Sequence, residues 1–550
     1  MKSFAFIIFF VATLTGVHAQ KRTNLPADST KKTVVITSAY KPSVRPASKI
    51  NFSAATPAVD TTRPRLQYNV PAQNLFFTYQ PASLKPLALS IDTGINWQNE
   101  NFIKVGAGNF STPFLQAGIS LGDGTGSMFN IHTKHISQKG KLPFQQYSHS
   151  NADLIGTFNQ PGSNTEFRAK VGFDKFTTYQ YGYRPDSLKF TKDQLRNSFT
   201  TFNIGSGFRN KTVNAYGISY NPSVNVNFFQ DNNKGKETTV LVNAPLSKTF
   251  GKVFGFNLGF VADVTTLKRF DGSKTKNNLY YITPEILFKS PNFNFTGGFI
   301  PSWDNQKFNL LPNFNILVKM KDERFVLQGG WKGYYQKNTY QSLATFNPWI
   351  NQPADLLNTR IKEQYAGFKG SAGSHLTYNA RVAYLNYSNA ALLANDRIDG
   401  KSFVTLYEPE MKALRLHGEV GYTVQEKFSL LAGATISQYT GLQNNAKAWG
   451  LLPLEVTGSL RWQVLKDLQF KTDLFAWDGA RYRNKAGSDQ KSKAAFDLNT
   501  GVEFTVMPKL NLWVQFNNVF NNRYQRWNQY EVLGFNVLGG IVYSFAQTGK

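Results

Sequence analysis

The chain contains no cysteine. That absence excludes thiolate metal sites, disulfides, a cysteine nucleophile and a lipid-modified N-terminal cysteine. Acidic residues are scarce: 34 Asp and Glu stand against 61 Lys and Arg, a formal charge of +27. The basic residues form no single block. They fall between strand-like runs, as in Lys268, Arg269, Lys274 and Lys276, or Arg481, Arg483, Lys485, Lys491 and Lys493. No nucleic-acid partner is expected from such a scatter. Past the first 19 residues no apolar run approaches the roughly 20 residues of a membrane helix. A P-loop, a dinucleotide fingerprint and an EF-hand loop are all missing. Of the six histidines, His132 and His135 are spaced to fall on opposite faces of a strand, which argues against a shared metal. No enzymatic activity, cofactor or metal is expected.

Aromatic residues, by contrast, make up 15% of the chain, with 46 Phe, while mean hydropathy is −0.35. Strands that are apolar outside and polar inside, with aromatic girdles, give this mixture. So does a large soluble β protein.

Met1–Ala19 has the parts of a secretory signal peptide: Lys2, then the apolar run Phe4–Val17, then a Val17-His18-Ala19 cleavage site that leaves Gln20 first. Residues 20–87 form a proline-broken segment, expected to be extended and periplasmic. Within it, Thr33, Val34, Val35, Ile36, Thr37, Ser38 and Ala39 make a β-prone run. It reads either as a docked edge strand or as a peptide that adds a strand to a partner's sheet.

From residue 88 to 545 strand-like runs are joined by alternating short and long connections. Short ones include Phe250–Val253, Gln425–Lys427 and Met507–Lys509; long ones include Tyr179–Leu195, Tyr340–Arg360 and Asn521–Tyr530. Short turns at one end and long loops at the other characterise a transmembrane barrel. Side chains alternate within the runs. Leu414, Leu416 and Val420 face away from Arg415, His417 and Glu419. Leu468, Phe470 and Leu474 oppose Lys471 and Asp473, and Phe496, Val502 and Phe504 oppose Asp497 and Glu503. Alternation alone fits a sandwich as well as a barrel. The export signal, about 22 runs and the sorted connections favour the barrel. The charged faces then line its lumen, and a hydrated lumen explains the acids better than a catalytic carboxylate pair. Pro222, Pro245, Pro284, Pro301, Pro312 and Pro453 should sit at strand ends or bulges or above the membrane band. Trp513, Trp527, Tyr524 and Tyr543 are expected in the interfacial girdle.

The end of the chain carries a more specific signal. Asn517-Asn518-Val519-Phe520-Asn521-Asn522-Arg523-Tyr524-Gln525-Arg526-Trp527, followed by Gly539, Tyr543 and the closing aromatic Phe545, resembles the last two strands of TonB-dependent outer-membrane receptors. The resemblance implies a 22-strand barrel in the outer membrane of a Gram-negative bacterium. Residues 33–39 look like that family's TonB box, which implies a TonB-type energy transducer as partner. One feature departs from the pattern: the stretch between that run and the first strand is too short for the family's plug domain.

The expected fold is therefore an all-β transmembrane antiparallel barrel of about 22 strands, with an extended N-terminal segment and a short tail, 546–550. Two functions are open: transport of a solute across the outer membrane, or a plugless barrel that scaffolds an outer-membrane complex. Closure of the lumen is assigned to the proline-rich segment, to inward-folded loops such as Tyr340–Arg360, or to a separate plug or subunit. Outer-membrane lipid and lipopolysaccharide are expected neighbours, and the basic loops are either a solvated rim or an attractor of anions.

Overall fold

A computed structural model of the chain describes residues 98–548, apart from 123–125, 161, 184–187 and 322. The run 33–39 and the rest of residues 1–97 lie outside the described residues. The described chain forms a closed barrel of 22 antiparallel strands. One stave is split into two pieces, Ile218–Tyr220 and Ser223–Asp231. Closure is made by the first strand, Gln98–Gly108, pairing with the last, Asn536–Thr548, from Gln98 opposite Thr548 to Gly108 opposite Leu538. The final strand thus runs beyond Phe545 into the expected tail.

The alternation read from the sequence sorts the wall into two faces. Leu414, Leu416 and Val420 are 45–49% exposed on the outside, and Ile204, Phe260, Ile316, Leu512 and Ile541 match them around the circumference. A soluble monomer rarely exposes more than a few hundred Å² of contiguous apolar surface, so this belt is a lipid-facing one. Its turn-side rim is a chain of touching rings: Phe129–Phe158–Phe167, Phe254–Phe288–Phe293 and Tyr422–Phe428–Trp462.

Connections are sorted as expected, with exceptions. The loop side also holds the tight turns Asn109–Ser111 and Asn305–Gln306. Asn305 and Gln306 both have positive φ, at 48° and 74°, which suits the twist of a two-residue hairpin. Only Pro222 and Pro453 lie at strand ends; against expectation Pro245, Pro284, Pro301 and Pro312 lie inside strands, each where pairing to one neighbour lapses. Pro245 faces the break between the two pieces of the split stave, beside Pro222. Between strands Lys274–Lys289 and Phe293–Asp304 the ladder is interrupted from 282 to 285 and from 298 to 301, the segments that hold Pro284 and Pro301. Pairing of Lys307–Lys321 with the following strand stops at Asn313, next to Pro312. Pro453 precedes its strand. Each missing donor thus coincides with a local lapse in a ladder that is otherwise closed.

The girdle expectation fails for three aromatics. Trp513 is 2% exposed, Tyr524 3% and Trp527 5%; of the four, only Tyr543, at 49%, faces out. Trp513 lies on the inner wall across the closure seam. Its indole N–H donates to the Val105 carbonyl at 3.3 Å, its ring meets Phe114 edge-on, and the Lys104 ammonium sits 4.5 Å above it. Gly106 makes this possible, because a Cβ there would come within 2.4 Å of the indole.

Candidate functional site: the loop end of the barrel

The functional candidates lie on the inner wall and in the loops above it. All seven polar residues assigned to the lumen are on the inner face. Arg415 donates to Ser437 Oγ at 3.2 Å and to the Tyr387 hydroxyl at 3.0 Å. His417 Nδ1 is 2.9 Å from Thr435 Oγ1. Asp473 takes both oxygens to the Arg461 guanidinium, at 2.8 and 3.0 Å. Glu503 accepts from Asn511 at 2.8 Å and lies 3.7 Å from Lys104 Nζ. Asp497 accepts the Tyr524 hydroxyl at 2.6 Å. Lys471 and Glu419 share the same face. Asp473, Glu503 and Asp497 are held by separate partners rather than by each other. Among the described residues no group of three or more His, Asp or Glu is placed to hold a metal.

The closing-strand signature has a structural meaning. Asn518 and Asn521 take left-handed φ values of 46° and 51° at the corner where the penultimate strand enters its loop. Asparagine tolerates that conformation and bonds its own backbone. Asn518 donates to the Asn522 and Leu533 carbonyls at 2.8 and 3.0 Å, and Asn521 accepts the Phe535 amide at 2.9 Å. Asn517 donates to Asn536 at 2.8 Å, tying the last two strands together. Tyr524 packs edge-on against Trp477, and exposed Phe520 against Phe496.

Above the wall, two loops fold inward and meet. The first, 337–358, carries a short helix α1, Tyr340–Phe346, started by a capping box between Thr339 and Ser342. Glu237, at the top of the wall, accepts the Tyr340 and Gln341 amides at 2.6 and 3.0 Å. The Tyr340 hydroxyl donates to Asp231 at 2.8 Å, and burial raises that phenol well above its ordinary value. Past the helix, Trp349 donates to the Tyr179 carbonyl at 3.0 Å. Ile350 bridges Phe403, and the Asn351 side chain reaches Asp396 at 2.9 Å. Phe403 and Asp396 belong to the neighbouring hairpin, but Glu237, Asp231 and Tyr179 lie progressively farther around the barrel from the loop's own strands, so the loop reaches across the mouth.

The second loop, 518–535, holds a hairpin of Gln525–Trp527 and Tyr530–Glu531. Its Glu531 carbonyl accepts from the Tyr181 hydroxyl at 2.8 Å and from Gln145 at 2.9 Å. Lys401, in the turn 396–402, donates to the Tyr181 carbonyl and lies 4.9 Å from the Tyr530 ring and 5.0 Å from the Tyr183 ring. Burial pushes its ammonium down to about 8. The loops join where Trp349 stacks on Tyr530 and Phe346 meets Trp527 edge-on. Leu343, Ile350, Leu356, Leu393 and Phe403 fill in around them as one apolar core. Of the three closures considered for the lumen, the stretch Tyr340–Arg360 is one whose loop packs inward here. The sequence reading missed Glu237, Trp349 and Lys401; only the Thr339–Ser342 spacing gave a local sign of the helix.

No family model matches the sequence, and no curated protein matches it significantly. Solved structures do match its fold. The FrpB iron transporter from Neisseria meningitidis superposes with a TM-score of 0.63 at 13% identity, over 81% of each chain. The siderophore receptor PirA from Acinetobacter baumannii gives 0.64 at 11%, over 82% of this chain and 81% of that one. A mutant of the ferric enterobactin receptor PfeA from Pseudomonas aeruginosa gives 0.62 at 11%, over 82% and 81%. At these identities the likeness is one of fold: the chain builds the transmembrane barrel of iron and siderophore receptors, the fold that its closing strands resemble.

Proposed function

We propose that the protein is an outer-membrane transporter of the TonB-dependent-receptor type. It takes up a small solute through a mouth that the loops 337–358 and 518–535 close at rest. The observation that carries this is the inward cap: an apolar core joined across the lumen by Trp349 and Tyr530. A lumen of this width leaks unless it is closed, and a closure made of loops docked on the rim, rather than of the wall itself, can be released to pass a solute. Solved barrels of the same fold include an iron transporter and a siderophore receptor, and iron chelates are therefore the first solutes to try. The run Thr33–Ala39 is the coupling segment in this reading.

Growth on limiting nutrients tests it, with the gene deleted or carrying Val35→Pro or Ile36→Pro. A nutrient-specific defect shared by all three strains is expected. Normal growth of both proline strains, with an envelope defect on deletion, would overturn energised uptake in favour of the scaffold.

A further inference from the structure

Lysines line up on the outer wall at its loop-side edge. In the antiparallel register Lys236 lies opposite Lys268, and Lys268 lies opposite Lys274. Lys276 stands two residues lower, opposite Thr266. All four side chains are exposed. They share the outward parity of Leu246, Phe260, Tyr280 and Ile286.

Like charges directly across a strand pair destabilise a sheet. A row of lysines on three adjacent strands is thus a cost to the fold in water. Nearby acids do not offset it. Asp271 lies 3.7 Å from Arg269, and Glu237 faces inward and holds the amides of α1. Among the described residues no carboxylate forms an ion pair with any of the four lysines.

Depth identifies what would. Below the lysines come Thr238 and Thr266, then Val240 and Val264, and the outer face stays largely apolar down to the ring pair Phe250–Phe254. That stretch matches the apolar band of about 25 Å on an outer-membrane barrel. The row stands about 5–10 Å above its upper edge, given about 3.3 Å per residue. This is the headgroup zone flanking the hydrocarbon core.

We propose that Lys236, Lys268, Lys274 and Lys276 bind the phosphate groups of a phosphorylated lipid in the leaflet at the loop end. Lysine serves phosphate as a mobile point charge, and the outward aspect at headgroup depth selects a lipid over a free anion. Bound phosphates turn the row from a repulsive array into a fastening of the barrel to its leaflet.

The test uses the full chain in nanodiscs of phosphatidylcholine, with or without lipid A. The variant Lys236→Gln/Lys268→Gln/Lys274→Gln/Lys276→Gln is compared with a turn-side control, Lys252→Gln/Lys289→Gln/Lys427→Gln/Lys466→Gln. Lipid A binding should fall at least about tenfold in the first and hold in the control. The melting temperature should show opposite signs: the loop-side variant melts above the parent in phosphatidylcholine, where repulsion is relieved, and below it with lipid A. Equal lipid A binding by parent and loop-side variant overturns the proposal. So does an equal loss in the control, or displacement of lipid A by millimolar inorganic phosphate. Should the quadruple variant not fold, the pairs Lys236→Gln/Lys268→Gln and Lys274→Gln/Lys276→Gln should each show part of the effect.

Discussion

The indole of Trp349 lies flat on the ring of Tyr530, with centroids 3.8 Å apart and planes 11° from parallel. Each ring belongs to a different long loop, and each loop is anchored elsewhere on the rim. The stack is therefore the point at which two independent arms of the cap meet. Such a pair adds about 0.5–1.5 kcal/mol beyond its buried area. Trp349→Ala should raise the open fraction of the cap roughly tenfold or more, with the barrel's own melting unchanged. Limited proteolysis within 347–358 and conductance in planar bilayers measure it. Unchanged cleavage and conductance would show that the stack does not hold the mouth.

Ile350 and Phe403 form an isolated parallel bridge between the first loop and the wall. Paired backbones of this kind bring Cα atoms within the range a disulfide spans. The chain has no other cysteine to compete, so Ile350→Cys/Phe403→Cys gives a single possible crosslink. If transport requires this loop to move, the oxidised form takes up no solute and reduction restores uptake. Uptake unaffected by oxidation, with the crosslink confirmed by mass, would place the solute path elsewhere.

Lys401 gives the cap a pH dependence. Burial holds its ammonium down at about 8, with Asp399 opposing the shift, against about 10.4 in an unfolded chain. A depressed cation weakens the docked state while it is charged. That cost is present in full below pH 8, is relieved between about pH 8 and 10.4, and is absent above. Docking of the cap should therefore strengthen as pH rises through that window. A dye on Thr345→Cys, an exposed position on α1, reports the denaturant midpoint of cap release. That midpoint should increase between about pH 8 and 9.5 in the parent and stay flat over the same range in Lys401→Met; above it the buried phenols of Tyr340 and Tyr530, whose protons the docked state retains, oppose the rise. A fall with pH in the parent would reverse the sign and reject burial as the controlling effect.

Much of the wall was legible because a strand has a period of two. Leu414, Leu416 and Val420 could be set against Arg415, His417 and Glu419 from local sequence, and the turns Gln425–Lys427 and Met507–Lys509 follow from where alternation breaks. Alternation names a face but not its surroundings. Trp513 misses the girdle because its burial depends on Lys104, Val105 and Phe114, from the far end of the chain. Trp527 and Tyr524 were misassigned for the same reason: the loop holding them folds over the mouth instead of lying at the membrane edge. The cap as a whole rests on contacts such as Glu237 to Gln341 and Trp349 to Tyr530. Long-range pairings of that kind leave no periodic trace.

The closure seam offers the strictest test of the inner wall. Gly106 faces Gly540 across the first and last strands. A Cβ at Gly106 would meet the Trp513 ring at 2.4 Å and the Gly539 carbonyl at 2.7 Å. The ring is boxed in by Phe114 and by the Lys104 ammonium, so it has little room to yield. Gly106→Val must push the indole off the wall or part the two strands, and overpacking of this sort costs about 1–3 kcal/mol. Heat-modifiable migration on gels should show a lower unfolding temperature for Gly106→Val. The double variant Gly106→Val/Trp513→Ala should recover part of it, because the clash and its partner are removed together. Absence of any recovery would mean that the strain lies in the backbone contact with Gly539 and not in the ring, and the seam would then be set by strand proximity alone.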